Sequence, residues 1–275
     1  MTSQRRYTAQ RGFFSHDDDP ESGDFRATTR VDLGLLARLY PKDDASGRED
    51  LTQWQRLQQY IRHQNSSNKD KQYKLLCLIR HGEGPHNGKE KETGRAEWDR
   101  YWAKVLGDGI ITWADAELTA NGERQVRRIA EVRSYIGLRR CLRTVQLALP
   151  AEAGNPRPTI KEKLRERLGI HTCDQRSSRS WIAAHYPSFD IEPGFTEEDL
   201  LWGPDQRETI EEHAIRSTEV LDDNFNGDYG DYVVLASYSD AIMSVFAATG
   251  WKKIPVAAGA VYPLLMCGEK VQTTA

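Results

Sequence analysis

Residues 74–88, KLLCLIRHGEGPHNG, decide how the rest of the chain is read. The uninterrupted apolar run Leu75-Leu76-Cys77-Leu78-Ile79 has the pattern of a strand covered on both faces. It stops abruptly at Arg80-His81-Gly82-Glu83, where an arginine and a histidine emerge from a buried strand and each must be solvated or used. A second apolar stretch, VVLASYSDAI at 233–242, ends on Tyr238-Ser239-Asp240.

Outward from these two strands, strand and helix patterns alternate. In the segment after Trp113, Thr119 is placed to cap a helix, with Glu123 in the first turn and Val126, Ile129 and Ala130 on an inward stripe. A helix is expected around Leu138 to Leu147, another over ETIEEHAIRSTEVLDDNF, and a third from Ile242 to Thr249, stopped by Gly250. GAVYPLLMC at 259–267 reads as a last strand. Alternation with continuous apolar strands predicts the α/β class: a three-layer sandwich with a central, mainly parallel sheet covered by helices on both faces.

Residues 1–70 are polar and turn-rich, with an apolar patch from Val31 to Leu39 and helical spacing of Trp54, Leu57 and Ile61. This predicts an N-terminal arm laid over one domain spanning 71–275. A chain of 275 residues suffices for one large α/β domain. A formal charge of −3 with 29% charged residues offers no basic stripe, which argues against a nucleic-acid partner. No run approaches the roughly 18 apolar residues of a membrane span, and MTSQRRYTAQRGFF has no apolar segment after its arginines, so a cytoplasmic address is expected. Cys77, Cys141, Cys173 and Cys267 are far apart and lack metal-ligand spacing, the pattern of reduced thiols.

In open α/β sheets ligands bind beyond the carboxyl ends of the strands, where both RHGE and SYSD fall. A fixed cation beside a histidine disfavours a metal but draws in an anion such as phosphate, which Arg80 can grip bidentately. His81 can then attack phosphorus through a neutral ring nitrogen. Asn87 can orient the loop or donate to a phosphate oxygen, and Arg140 offers a second guanidinium. Glu166 is the candidate general acid, a role that needs burial to raise its pKa; Glu162 competes for it. Glu166 has the alternative of an exposed helix position beside Arg165 and Arg167.

Together these residues resemble the histidine phosphatase superfamily, also called phosphoglycerate-mutase-like, and especially its fungal-type branch. The blocks that carry the resemblance are RGFF and TQWQRLQQYIRH in the arm, LIRHGEGPHN, ITWADAELTANGERQ, LRRCLRT, LRERLGIHTCDQRSSRS and GFTEEDLLW, in that order over nearly the whole chain. The resemblance implies His81 as nucleophile, Arg80 and Arg140 as phosphate clamps, Asn87 in the pocket and Glu166 as proton donor, with a small phosphorylated molecule as partner and neither metal nor organic cofactor. Glu83 and Asp240 are counted with Asn87 and Arg140 among substrate-binding residues, and Tyr238 among catalytic ones.

Two departures matter. Where the family carries HSG at a strand end, this chain has Tyr238-Ser239-Asp240, so a histidine that donates to the phosphoryl oxygens is replaced by a tyrosine. Asp240 adds negative charge near a site meant for a dianion, or caps a helix beginning at Ala241. The connection through AEVRSYIGLRRC to Arg140 is also shorter than the family's.

Three readings are carried forward. The first is an impaired phosphatase acting on a small phosphomonoester through phospho-His81. The second is a repurposed isomerase, cyclase or lyase using the same pocket on a non-phosphorylated substrate. The third is a non-catalytic relative that binds an anion or a partner. GFTEEDLLW reads as a solvated helix start with Leu200 and Trp202 packed inward, and Trp98, Trp102 and Trp113 read as core or arm-anchoring residues rather than substrate platforms.

Overall fold

The computed structural model describes residues 4–21, 24–41, 50–127, 139–148, 157–227 and 230–271. Its main sheet is built from β1 (Arg5–Ala9), β2 (Lys71–Arg80), β5 (Tyr232–Ser237) and β6 (Val261–Lys270), in the order β1-β6-β2-β5. β3 (Thr159–Ile160) and β4 (Asp190–Ile191) form a separate two-stranded parallel ladder. Every residue from Leu75 to Ile79 is buried, as the apolar run requires.

The alternation of side chains along β2 divides the interior in two. Leu75, Cys77 and Ile79 face α1 (Gln53–Ser67), α4 (Ala120–Arg127), α5 (Arg139–Ala148) and α6 (Arg179–His185), packing with Leu57, Ile61, Val126, Leu142, Val145 and Ile182. Leu76 and Leu78 face α7 (Ile210–Asn226) and α8 (Ser239–Ala248), packing with Leu221, Phe225, Val245 and Phe246. Each such leucine contributes about 1.5–3 kcal/mol on burial, so both helical layers are held by the one central strand. α1 and α7 begin with complete capping boxes at Thr52 and Thr209, which end the preceding loops sharply.

The α/β class and the three layers agree with expectation; the direction of the strands does not. β2 and β5 are parallel, whereas β6 runs antiparallel to both β2 and β1, so the sheet is mixed rather than mainly parallel. The cause lies between Thr249 and Ala260. That segment carries the chain back to the carboxyl end of β2, where the Gly259 amide donates to the carbonyls of Arg80 and His81 at 3.2 and 3.0 Å. β6 therefore starts where β2 ends, with Val261 opposite Ile79. An apolar pattern specifies burial and leaves direction open.

The segment expected as an arm is stitched into this frame. β1 occupies the sheet edge, and Leu57 and Ile61 of α1 are fully buried in the core. Val31, by contrast, is 95% exposed, so the apolar patch there is only partly used. Ile129, Ala130, the shortened connection before Arg140 and the Arg140 side chain lie outside the described residues. Among the described residues, no helix is long and apolar enough to cross a membrane.

After β2 the chain turns through Gly82 into α2 (Pro85–Thr93) and α3 (Arg95–Arg100). The turn is pressed against the start of α4. A β-carbon on Gly82 would collide with the Gly122 carbonyl, and one on Gly122 with the backbone of Glu83. Thr119 and Glu83 link the two segments, the Thr119 amide donating to the Glu83 carbonyl at 2.9 Å. The Glu83 amide in turn donates to Gln125 Oε1, also at 2.9 Å.

Gly122→Ala is expected to cost about 1–3 kcal/mol in chemical denaturation, the range for overpacking a close contact. Gly88→Ala, inside α2 with open space around it, is expected to stabilise by about 0.5–1 kcal/mol. Equal effects at the two glycines would disprove the close-approach account.

Candidate active site

The carboxyl ends of β2 and β5, the start of α8 and the loop around Glu166 enclose a cavity of about 370 Å³. His81 lies on its wall, 2% exposed. Its backbone is fixed because its amide donates to the Ser237 carbonyl at 3.0 Å. His81 Nδ1 is 2.6 Å from the Gly82 carbonyl oxygen. A carbonyl only accepts, so Nδ1 carries the hydrogen and the lone pair of the neutral ring resides on Nε2. The ring sits 5.0 Å from that of Tyr238 and 5.7 Å from that of His86.

Arg80 is anchored by one donation, from Nη1 to the Val256 carbonyl at 2.7 Å, while its Nε is buried with no hydrogen-bond partner among the described residues. Burial pulls its pKa below the usual arginine value, opposed by the charges of Glu166 and Asp240. A held guanidinium with donor capacity left over, at a cavity wall, is a receptor for an anion.

Glu166 is in an irregular segment, not on a helix, and is only 9% exposed. Its Oε1 accepts from the Arg167 amide at 2.8 Å and its Oε2 from the Asp240 amide at 3.2 Å. Burial, followed by the neighbouring carboxylates of Asp240 and Asp174, pushes its pKa up to about 8. A protonated carboxyl therefore faces the cavity at neutral pH.

Glu162 is occupied elsewhere, bridged by Arg165 at 2.8 Å and Arg176 at 2.9 Å, and does not line the cavity. Arg165 itself is 1% exposed and grips Asp199 with two bonds, of 2.7 and 2.6 Å. The alternation LRER thus does not mark a solvated helix face. It sends Arg165 into a buried ion network and Glu166 into the cavity.

The remaining expected residues divide. Tyr238 is fully buried, lines the cavity and stands at the N-cap of α8. Asp240 also lines the cavity, 3.6 Å from Arg167. It is not a cap before Ala241, because α8 already begins at Ser239 and Asp240 lies within its first turn. Asn87 lines the cavity too, and its Oδ1 accepts from the Gly84 amide at 3.0 Å, closing the first turn of α2.

Glu83 does not belong with them. Its carboxylate accepts from Thr119 Oγ1 at 2.9 Å and Asn121 Nδ2 at 3.1 Å, so it ties the turn to α4 and is turned away from the cavity. GFTEEDLLW also departs from expectation: it is not a helix start, Leu200 is 72% exposed, and Asp199 is its buried anchor. Trp202 donates to the His171 carbonyl at 3.0 Å. Trp98 and Trp113 are buried as expected, Trp98 with an edge on the cavity.

Residues that sequence reasoning missed complete the wall: Arg26 from the arm, His86 and Arg95 after β2, and His171, Cys173, Asp174 and Arg207 beyond Glu166. Arg207 donates to Asp174 Oδ2 at 2.8 Å. His86, His171, Cys173 and Asp174 lie inside blocks that carry the resemblance but have no role assigned there, whereas Arg26, Arg95 and Arg207 lie outside those blocks and are brought in by the fold.

No family model matches the chain. It is 35% identical to "Probable phosphoglycerate mutase" of Arthroderma benhamiae over 94% of this chain and 84% of that relative. It is 31% identical to "Phosphomutase-like protein 3" of Candida albicans over 86% of this chain and 79% of that protein. Among solved structures it is similar to a phosphoglycerate mutase from Thermus thermophilus, with 22% identity, 68% of this chain and 90% of that one covered, and a TM-score of 0.37.

The raised pKa of Glu166 has a thermodynamic signature. Between its ordinary value of 4.5 and about 8, the unfolded chain ionises this carboxyl while the folded chain keeps it protonated. Its contribution is intact below that window and is lost as pH rises through it. Glu166→Gln removes the loss, so the stability of the variant relative to wild type should grow from about pH 5 to pH 8, by at most about 1.4 kcal/mol per pH unit. A stability difference independent of pH in urea titrations would mean that Glu166 is already ionised at neutral pH.

Proposed function

The chain belongs to the phosphoglycerate-mutase-like family of the histidine phosphatase superfamily, and from that premise we propose that it hydrolyses a small phosphomonoester through a phosphohistidine at His81, at a rate limited by Tyr238. The observation that carries this reading is the placement of His81 beside Arg80: Nδ1 is held at the Gly82 carbonyl, and the ring lies on the wall of a cavity that also holds a half-buried guanidinium and a carboxyl whose pKa is raised to about 8.

In the first step Nε2 forms a bond to phosphorus while the ester P–O bond breaks. The leaving alkoxide takes the Glu166 proton, which leaves a carboxylate. In the second, a water gives its proton to Glu166 and its oxygen attacks phosphorus, breaking the N–P bond and releasing inorganic phosphate. Arg80 offers its donors to the equatorial oxygens, whose charge is spread in the transition state.

Tyr238 supplies a hydroxyl but no positive charge, and Asp240 places a carboxylate in the same cavity. Loss of one preorganised donor to a transition state costs about 10²–10³ in rate. A mutase must both give and take a phosphoryl group, so hydrolysis is the less demanding chemistry for this site. The relatives' names, with their phosphoglycerate and phosphomutase terms, support a small phosphorylated substrate.

Phosphate release from an alkyl phosphate and an aryl phosphate tests the reading. His81→Ala should abolish release from both, and Tyr238→His should raise it about 10²–10³-fold. Glu166→Gln should slow the alkyl ester by about 10²–10⁴ and the aryl ester, whose leaving group needs less protonation, by much less. Wild-type turnover that survives His81→Ala, or no turnover by either wild type or Tyr238→His, would end the phosphohistidine reading.

A further inference from the structure

One cluster on the cavity wall makes or breaks no bond in the phosphohistidine steps, although the Asp174 charge acts on Glu166. His171, Cys173 and Asp174 each bring a ligand atom to within 4.8 Å of the other two, and all three line the cavity. We propose that these side chains form a zinc site, with a remaining coordination position that opens into the cavity.

The donor set is one imidazole nitrogen, one thiol sulfur and one carboxylate oxygen, which suits a borderline-soft, tetrahedral ion. Bonds of about 2.0–2.3 Å in a tetrahedron place ligand atoms roughly 3.3–3.8 Å apart. His171 Nδ1 is 3.9 Å from Asp174 Oδ2, too far for a hydrogen bond but within a few tenths of an ångström of that spacing. Cys173 Sγ donates to the other carboxylate oxygen, Asp174 Oδ1, at 3.4 Å, a hydrogen bond that a bound metal would replace.

An independent observation comes from behind the histidine. Asp99 Oδ1 is buried with no hydrogen-bond partner among the described residues and stands 3.5 Å from His171 Nε2. A carboxylate behind the far ring nitrogen is the usual support of a metal-bound histidine, because it holds the hydrogen on that nitrogen and turns the other lone pair to the metal. Here the Asp99 carboxylate stands behind Nε2 while Nδ1 faces Asp174, the arrangement that turns the Nδ1 lone pair to a metal once one is bound. Loss of this support commonly weakens metal affinity by 10- to 100-fold.

Without a metal the cluster is neutral, the carboxylates of Asp99 and Asp174 facing the guanidiniums of Arg95 and Arg207. Arg207 holds Asp174 at 2.8 Å and also donates to the carbonyls of Arg167 and Gly169, while Arg95 holds Asp99 at 2.8 Å. As the sulfur–zinc bond forms, the Cys173 proton leaves to solvent. Thiolate and two carboxylates then face two guanidiniums and the dication, a surplus of one positive charge that favours an anionic ligand from the cavity. Sequence spacing hides this site, since His-Thr-Cys-Asp matches no standard zinc motif.

The test uses the full chain, stripped with a chelator, then titrated with Zn²⁺ against a chromogenic chelator and separately with Co²⁺ as a spectroscopic probe. The expected result is one zinc per chain and a cobalt spectrum with a thiolate-to-metal band. Cys173→Ser should lose that band, and Asp99→Asn should weaken zinc binding by about 10–100-fold. His81→Ala should bind zinc as wild type does, which separates this site from the phosphohistidine reading. The proposal is overturned if stripped wild type takes up no stoichiometric zinc, if a folded Cys173→Ser variant binds as well as wild type, or if only His81→Ala abolishes binding. Should circular dichroism show Cys173→Ser unfolded, the wild-type cobalt spectrum decides alone, and the absence of a thiolate band overturns the site.

Discussion

The backbone where β2 stops is held from three sides, and the cavity's geometry follows from that. The His81 amide reaches β5 through Ser237, the carbonyls of Arg80 and His81 receive the Gly259 amide, and Gly82 lies against Gly122 of α4. None of these contacts involves a catalytic side chain. They leave the turn no freedom to relax, so Arg80 and His81 stay at a cavity wall although burial disfavours a charged or polar group there. The close approach of two glycines also directs Glu83: with the turn pressed onto α4, the carboxylate meets Thr119 and Asn121 before it can meet a ligand.

The cavity is electrostatically mixed rather than simply cationic. Arg26, Arg80, Arg95 and Arg207 share it with Glu90, Glu166, Asp174 and Asp240. Two of the arginines are already committed, Arg207 to Asp174 and Arg95 to Asp99 and Glu90. Arg80 keeps donor capacity in reserve, with one donation to Val256 and its Nε without a partner among the described residues. Asp240 acts on both sides of this balance. Its backbone amide binds Glu166, and its charge helps hold that carboxyl protonated. The same charge repels a dianion.

How much of this was legible beforehand depended on the kind of information each residue carries. Continuous apolar runs announced β2 and β5, and with them the positions of Arg80, His81 and Tyr238 at strand ends. The direction of β6 was not legible, because burial on both faces looks the same in either sense. Glu166 was legible as a residue type but not as an environment: LRERLG has the charge spacing of an exposed helix, and only the pairing of Arg165 with Asp199 shows that the segment turns inward. Glu83, counted among substrate-binding residues, is bound to Thr119 and Asn121 instead, contacts that its own sequence neighbourhood does not announce. Arg26 carries no local signal at all, and His171 lies in a quoted block that assigns it no role; loops far apart in the chain deliver them.

The N-terminal segment does more than supply Arg26. The outer edge of β6 is ten residues long and would otherwise present a row of open amides and carbonyls. β1 pairs with Met266 to Lys270, the Gln10 amide takes the Leu265 carbonyl, and Thr29 Oγ1 accepts from the Val261 amide. The segment thus covers the ten-residue edge of β6 and leaves the five-residue β1 as the margin of the sheet. Its role is colloidal as well as architectural: a chain deprived of it would expose a template for edge-to-edge polymerisation, and its first failure would be insolubility.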